Sequence, residues 1–206
     1  MEGLNLRFKR STEKFLRTTP IFESPRHVVG PPAQGVVEFD LEPQHGTAAR
    51  IGEFATRGKA ATADSNRIRA YWLPWQSQGT SQIQLGGLAE YFFTSQVAGC
   101  QIRIVPSPYR FGQTNHPLVL HIAGDRLDPN NGDPVGTIWR NQQAQNALTV
   151  PQFGRSRALS STGAGNRGYT GEGVNVIGFI RLSAWIFFGQ QVDFDNDTVL
   201  RVWRIQ

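Results

Sequence analysis

The chain has 206 residues, enough for one large domain or one domain and a tail. Only 39% of residues are hydrophobic and 18% charged, with 22 Gly and 12 Pro; this pattern favours many turns and short strands and argues against a helical bundle. The 13 Phe, 5 Trp and 4 Tyr argue against disorder, the single cysteine excludes a disulfide framework or multi-cysteine metal site, and a net charge of +5 leaves a modest basic excess.

Residues 1–35 read as a basic N-terminal arm and linker, separate from a single domain over residues 36–206. In the arm, Arg7, Lys9, Arg10, Lys14, Arg17 and Arg26 outnumber Glu2, Glu13 and Glu23. Leu4, Leu6, Phe8, Phe15 and Leu16 are scattered among these charges, and Pro20, Pro25, Pro31 and Pro32 punctuate the stretch. The expectation is a short helix or extended arm, then an irregular linker, with few core contacts. A solvated terminus is preferred over a surface for nucleic acid, membrane or an acidic partner. The charged start carries no apolar run, so no secretory signal peptide is expected. No stretch approaches the roughly 18 apolar residues of a membrane-spanning helix.

From Val36 the pattern changes. Val37, Phe39 and Leu41 alternate with Val36, Glu38 and Asp40, a half-buried strand closed near Pro43. Residues 47–66 are small and polar, a loop with at most one weak strand. A strand from Arg67 to Trp75 follows, with Pro74 restricting it to a strand end or an edge position. Leu88, Tyr91, Phe92 and Val97 form an apolar stripe at helical spacing, so a helix is expected over Leu88–Val97, capped by Gly99. Cys100, Ile102 and Ile104 then alternate with Gln101, Arg103 and Val105 in a strand that Pro106 ends. A polar loop covers 107–117, and Leu118 to Ala123 is another strand. Residues 128–134 are dense in turn formers, with a strand expected over 135–140. The Gly-rich stretch 160–173 lacks the Lys-Ser/Thr pair of a phosphate loop and reads as a mobile surface loop. Val174 to Phe188 and Thr198 to Ile205 are β-prone, with Val199, Trp203 and Ile205 on one face. The fold class is α+β: mixed, β-sandwich-like sheets with a helix packed beside the cysteine.

Two residues stand out for chemistry. A lone cysteine is by default a small buried hydrophobe. Cys100, however, follows Gly99 at a junction of elements, where backbone N–H groups can lower a thiol pKa and stabilise an oxyanion. His121 lies opposite in phase to Leu118, Leu120 and Ile122 on its strand. Read alone it is a histidine on the wet face of a sheet. As a rigidly held base for a cysteine nucleophile it is better placed than His27, His45 or His116, which lie in irregular segments.

In order, Trp72-Leu73-Pro74-Trp75, Phe92-Phe93-Thr94, Gly99-Cys100 and His121-Ile122 resemble the lethal-factor-like glutamine deamidase toxins of Burkholderia. These are grouped with the cytotoxic necrotizing factors and the chemotaxis receptor deamidases. The resemblance covers residues 70–125. The family's Leu-Ser-Gly-Cys motif is matched by Val97-Ala98-Gly99-Cys100, with Ala98 in place of the motif serine, and Thr94 keeps the family's spacing to the cysteine. The resemblance implies that Cys100 is the nucleophile, His121 the base and Thr94 an orienting residue. Gly99 lies at the oxyanion position, and no metal or organic cofactor is needed. It also implies a helix packed against a β-sandwich, and conversion of a target-protein glutamine to glutamate.

Under this reading the partner is a protein of a host or competitor cell, either a translation-initiation RNA helicase or a small GTPase. Neither an obligatory nucleic acid nor a membrane is involved. The chain is then an injected effector, secreted without a signal peptide, that acts as a monomer in the target-cell cytoplasm. Two alternatives stay open: a Cys-His transglutaminase or protease, and a non-catalytic β-sandwich module that binds a partner protein.

Overall fold

The computed structural model describes residues 3–23, 34–52, 54, 66–97, 100–105, 116–123, 157–160 and 173–205. Two short helices open it, α1 (Leu4–Arg10) and α2 (Thr12–Thr18). Strands β1 (Ile21–Phe22), β2 (Gly35–Phe39), β3 (Leu41–Pro43) and β4 (Ala49–Ile51) follow. Next come β5 (Ile68–Leu73), β6 (Thr80–Gln84), β7 (Tyr91–Thr94), β8 (Gln101–Val105), β9 (Leu118–Ile122) and β10 (Arg157–Ser160). The last are β11 (Val174–Arg181), β12 (Ala184–Asp193) and β13 (Thr198–Arg204).

The strands form three sheets: β13-β12-β11-β7-β5-β2, β10-β8-β9-β6 and the small β1-β4-β3. The six-stranded sheet is antiparallel except for the parallel pair β5–β7. It is the middle layer. One of its faces contributes Tyr71, Leu73, Phe92, Val176 and Phe187 to a core shared with Ile102, Ile104 and Val119 of the four-stranded sheet. The other face contributes Ala70, Trp72, Phe93, Ile177 and Phe188 to a second core. That core is closed by Phe8, Phe15 and Leu16 of the helices and by Ile21, Leu41 and Ile51 of the small sheet. The class is α+β with sandwich-like sheets.

The expected helix over Leu88–Val97 is absent. Tyr91–Thr94 is instead an inner strand buried at every position. Phe92 packs on Phe187 at one face, and Phe93 on Phe8 and Phe39 at the other. A short run buried on both faces matches helical spacing as easily as it matches a strand, and here the aromatic side chains and the Gly86-Gly87 start decide for the strand. No described helix therefore packs beside Cys100. The helices lie instead in the N-terminal arm.

That arm also departs from expectation. Phe8 and Leu16 are fully buried, so residues 3–23 pack into the second core rather than forming a solvated terminus. The apolar residues scattered between charges resolve into one buried side on each of two seven-residue helices of about two turns, too short for a visible period. β5 stops immediately before Pro74, yet lies between β7 and β2, so the proline marks an end and not an edge. Strand β4 takes the place of the one weak strand allowed within residues 47–66, and β6, short and polar, falls where no element was expected. The turn expected over 128–134, the strand over 135–140, residues 107–115 of the polar loop expected over 107–117, residues 161–172 of the Gly-rich stretch 160–173 and residues 24–33 of the linker lie outside the described residues.

Candidate functional site

Cys100 stands at the head of β8, and the antiparallel β8–β9 ladder fixes its relation to His121. Ile102 pairs directly with His121, so both side chains share a face. Cys100, two residues before Ile102, lies on that same face, and its membership of the same core as Ile102, Ile104 and Val119 agrees. Leu120 and Ile122 point the other way, into a separate apolar cluster. The alternation expected from the sequence holds, but the face assigned to water is the sandwich interior, and His121 is fully buried.

Thr94 reaches the same place from the opposite sheet. It ends β7 on the face of Phe92, directed across the interior. Its Oγ1 lies 2.8 Å from His121 Nδ1, 2.9 Å from the Leu73 carbonyl and 3.3 Å from its neighbour's carbonyl, Ser95 O. Carbonyls only accept, and a hydroxyl carries one hydrogen. With that hydrogen assigned to the carbonyl Leu73 O, the bond to the ring is donated by Nδ1–H. The lone pair of the neutral imidazole is then on Nε2. This is the arrangement by which a second group holds a histidine in the tautomer needed for a base. Nε2 is buried and has no hydrogen-bond partner among the described residues. Burial pushes the ring pKa down to about 3, so His121 is neutral at pH 7.

Cys100 is 4% exposed and Thr94 3%. Two of the three named side chains, Thr94 and His121, are in direct contact, and the third, Cys100, packs in the core between the same two sheets. Gly99 and Ala98 lie outside the described residues. Sequence reasoning missed Ser81, which pairs directly with His121 from β6 and is buried. The only signal for it was alternation within Thr80-Ser81-Gln82-Ile83-Gln84, with a single strongly apolar residue. It also missed Glu23, whose carboxylate bonds the Gln96 backbone N–H between Thr94 and Cys100. Among the described residues no group of three or more His, Cys, Asp or Glu side chains is placed to hold a metal ion.

No protein-family model matches the chain, and no curated protein matches it. Among solved structures, it is similar to the crystal structure of the C-terminal domain of CNFy from Yersinia pseudotuberculosis, at 9% sequence identity and a TM-score of 0.46. That similarity covers 98% of this chain and 97% of the other.

Proposed function

We propose that this chain is a cysteine-dependent protein glutamine deamidase. The observation that carries the reading is the 2.8 Å contact between Thr94 Oγ1 and His121 Nδ1 beside a buried Nε2 that has no partner among the described residues; with Nδ1–H as the donor, Nε2 is a held, neutral base in the sandwich interior where Cys100 packs. In the reaction, Nε2 takes the Cys100 thiol proton as sulfur attacks the carboxamide carbon of a protein glutamine. The proton passes to the leaving nitrogen, the C–N bond breaks and ammonia departs, leaving a thioester on Cys100. Water, deprotonated by Nε2, then attacks the thioester. The thiol returns with its proton and the glutamine has become glutamate. Backbone N–H groups at Gly99 and Cys100 are the proposed oxyanion donors. The resemblance set out above extends the proposal to its target, a translation-initiation RNA helicase or a small GTPase in the cytoplasm of a target cell.

A second reading, a non-catalytic sandwich module that binds a partner protein, draws on the burial of Cys100 and His121 together in a core. Peptide mass spectrometry separates the two. After incubation with purified candidate helicases and GTPases, wild-type protein converts one glutamine to glutamate. Cys100→Ser keeps the fold and loses about 10³-fold or more of the rate. Undiminished conversion by Cys100→Ser overturns the nucleophile. An absence of conversion, joined to iodoacetamide labelling of Cys100 that ignores His121→Ala, favours the binding module.

A further inference from the structure

The segment Ser95-Gln96-Val97 carries the chain from β7 in the six-stranded sheet towards Cys100 in the four-stranded sheet. Each of its residues is tied down. Ser95 N–H donates to Leu73 O at 3.1 Å, and Ser95 Oγ accepts from Trp75 N–H at 3.0 Å. Val97 exchanges two backbone bonds with Val174, at 2.8 and 3.0 Å. Gln96 N–H donates to Glu23 Oε2 at 2.9 Å, and the Ser95 side chain faces the same carboxylate. The Gln96 side chain lies so close to Gly173 that a Cβ there would clash with Gln96 Cδ.

Glu23 is the ionisable member of this set, and it comes from the arm. Its own position is secured just upstream: Gln190 Nε2 donates to Leu16 O and Thr19 O, Ile21 N–H donates to Gln190 Oε1, and Asn175 Nδ2 donates to Ile21 O. Burial pushes the Glu23 carboxyl above the ordinary carboxylate range, and the bonds from Gln96 and Ser95 oppose that rise. A largely buried carboxylate without a cation among its bonds is expensive for a fold to keep. A passive strap would be served as well by a neutral acceptor.

We propose that Glu23 is a positioning residue for the Cys100 site: through Ser95 and Gln96 it fixes residues 95–97, which lead from Thr94 towards Cys100, making the N-terminal arm part of the active unit. The inference rests on the deamidase reading for its effect on turnover, but its effect on the thiol can be read without any substrate. Freeing the segment disturbs the approach of Cys100 to Nε2 and opens a thiol that is only 4% exposed. The two consequences have opposite signs.

The test compares full-length wild type, Glu23→Ala and Glu23→Gln, each checked by circular dichroism and a thermal melt. Glu23→Ala is expected to label with iodoacetamide about threefold faster at Cys100 while kcat falls about tenfold and KM stays within about twofold. Glu23→Gln keeps an acceptor for Gln96 N–H but turns a donor toward the Ser95 hydroxyl, so it falls between the two. Labelling and kcat at wild-type values in a folded Glu23→Ala overturn the proposal. So does a change that merely tracks the fall in melting temperature, as given by Gln190→Ala for comparison. Should Glu23→Ala not fold, Glu23→Gln with wild-type labelling overturns it alone. Faster labelling with no deamidation by wild type leaves the positioning role standing and removes the deamidase reading.

Discussion

Two buried polar centres in this molecule are built on opposite principles. At the first, Gln190 makes all four hydrogen bonds a carboxamide can make. Its Nε2 donates to Leu16 O and Thr19 O, and its Oε1 accepts from Ile21 N–H and Asn175 Nδ2. At the second, His121 is equally buried but commits only Nδ1, to Thr94, and leaves Nε2 without a partner. A saturated centre can only hold the chain in place. An unsaturated one keeps a lone pair available at a free-energy cost that the fold tolerates, as expected where a group is kept for chemistry.

Breaking the saturated centre has the largest expected effect on stability. Gln190→Ala strands two carbonyls and one N–H that anchor the arm, and is expected to lower unfolding free energy by about 3 kcal/mol. Urea denaturation measures this. A loss below about 1 kcal/mol would mean that the apolar packing of Phe8, Phe15 and Leu16 holds the arm without it.

The unsaturated centre is expected to show itself through pH. The folded pKa of His121, about 3, lies below its unfolded value of 6.5, so the unfolded chain binds a proton first on acidification. Stability is therefore fully present above pH 6.5 and declines as pH falls, by up to about 1.4 kcal/mol per pH unit. Glu23 works in the opposite direction, because its raised carboxyl takes up a proton in the folded state before the unfolded one. The His121 contribution begins to fall just below pH 6.5, its unfolded value. His121→Gln should flatten the decline there, and Gln190→Ala should leave it unchanged. An equal slope in wild type and His121→Gln would assign the pH dependence to other groups.

The contrast also explains what could be seen in the sequence. Strands β8 and β9 were legible because Ile102, Ile104, Leu118, Leu120 and Ile122 alternate with other residues, and this alternation put His121 on its own face. Cys100 and Thr94 were legible by spacing within a resemblance. The environment of His121 was not, because period-2 alternation assigns a residue to a face without saying whether that face meets water or another sheet. Tyr91–Thr94 was misread because a strand buried on both faces has no polar side to reveal its period. Gln190 and Glu23 gave no signal. Apart from Asn175, which bonds Gln190, their partners are Leu16, Thr19, Ile21, Ser95 and Gln96, all more than 70 residues away along the chain, and contacts at that range leave no local pattern.

The smallest expected change in stability tests how the second centre is held. Thr94→Ser keeps the hydroxyl that accepts from Nδ1–H and loses only a methyl group, so turnover should stay within about threefold. Thr94→Val is nearly isosteric and removes the hydroxyl. It leaves Nδ1–H unpaired and Leu73 O with only its bond from Ser95 N–H, at a cost of about 1 kcal/mol. With nothing to select the tautomer, the ring proton is free to move to Nε2, and turnover should fall about tenfold or more. The nitrogen chemical shifts of the His121 ring read this directly. In wild type and Thr94→Ser the proton should sit on Nδ1, with Nε2 bare; in Thr94→Val the ring should show a mixture or the reverse. Finding the proton on Nε2 in the wild type would mean that the Thr94 hydroxyl donates to the ring. His121 would then present a donor to the Cys100 face, and a thiol proton would have no base to receive it.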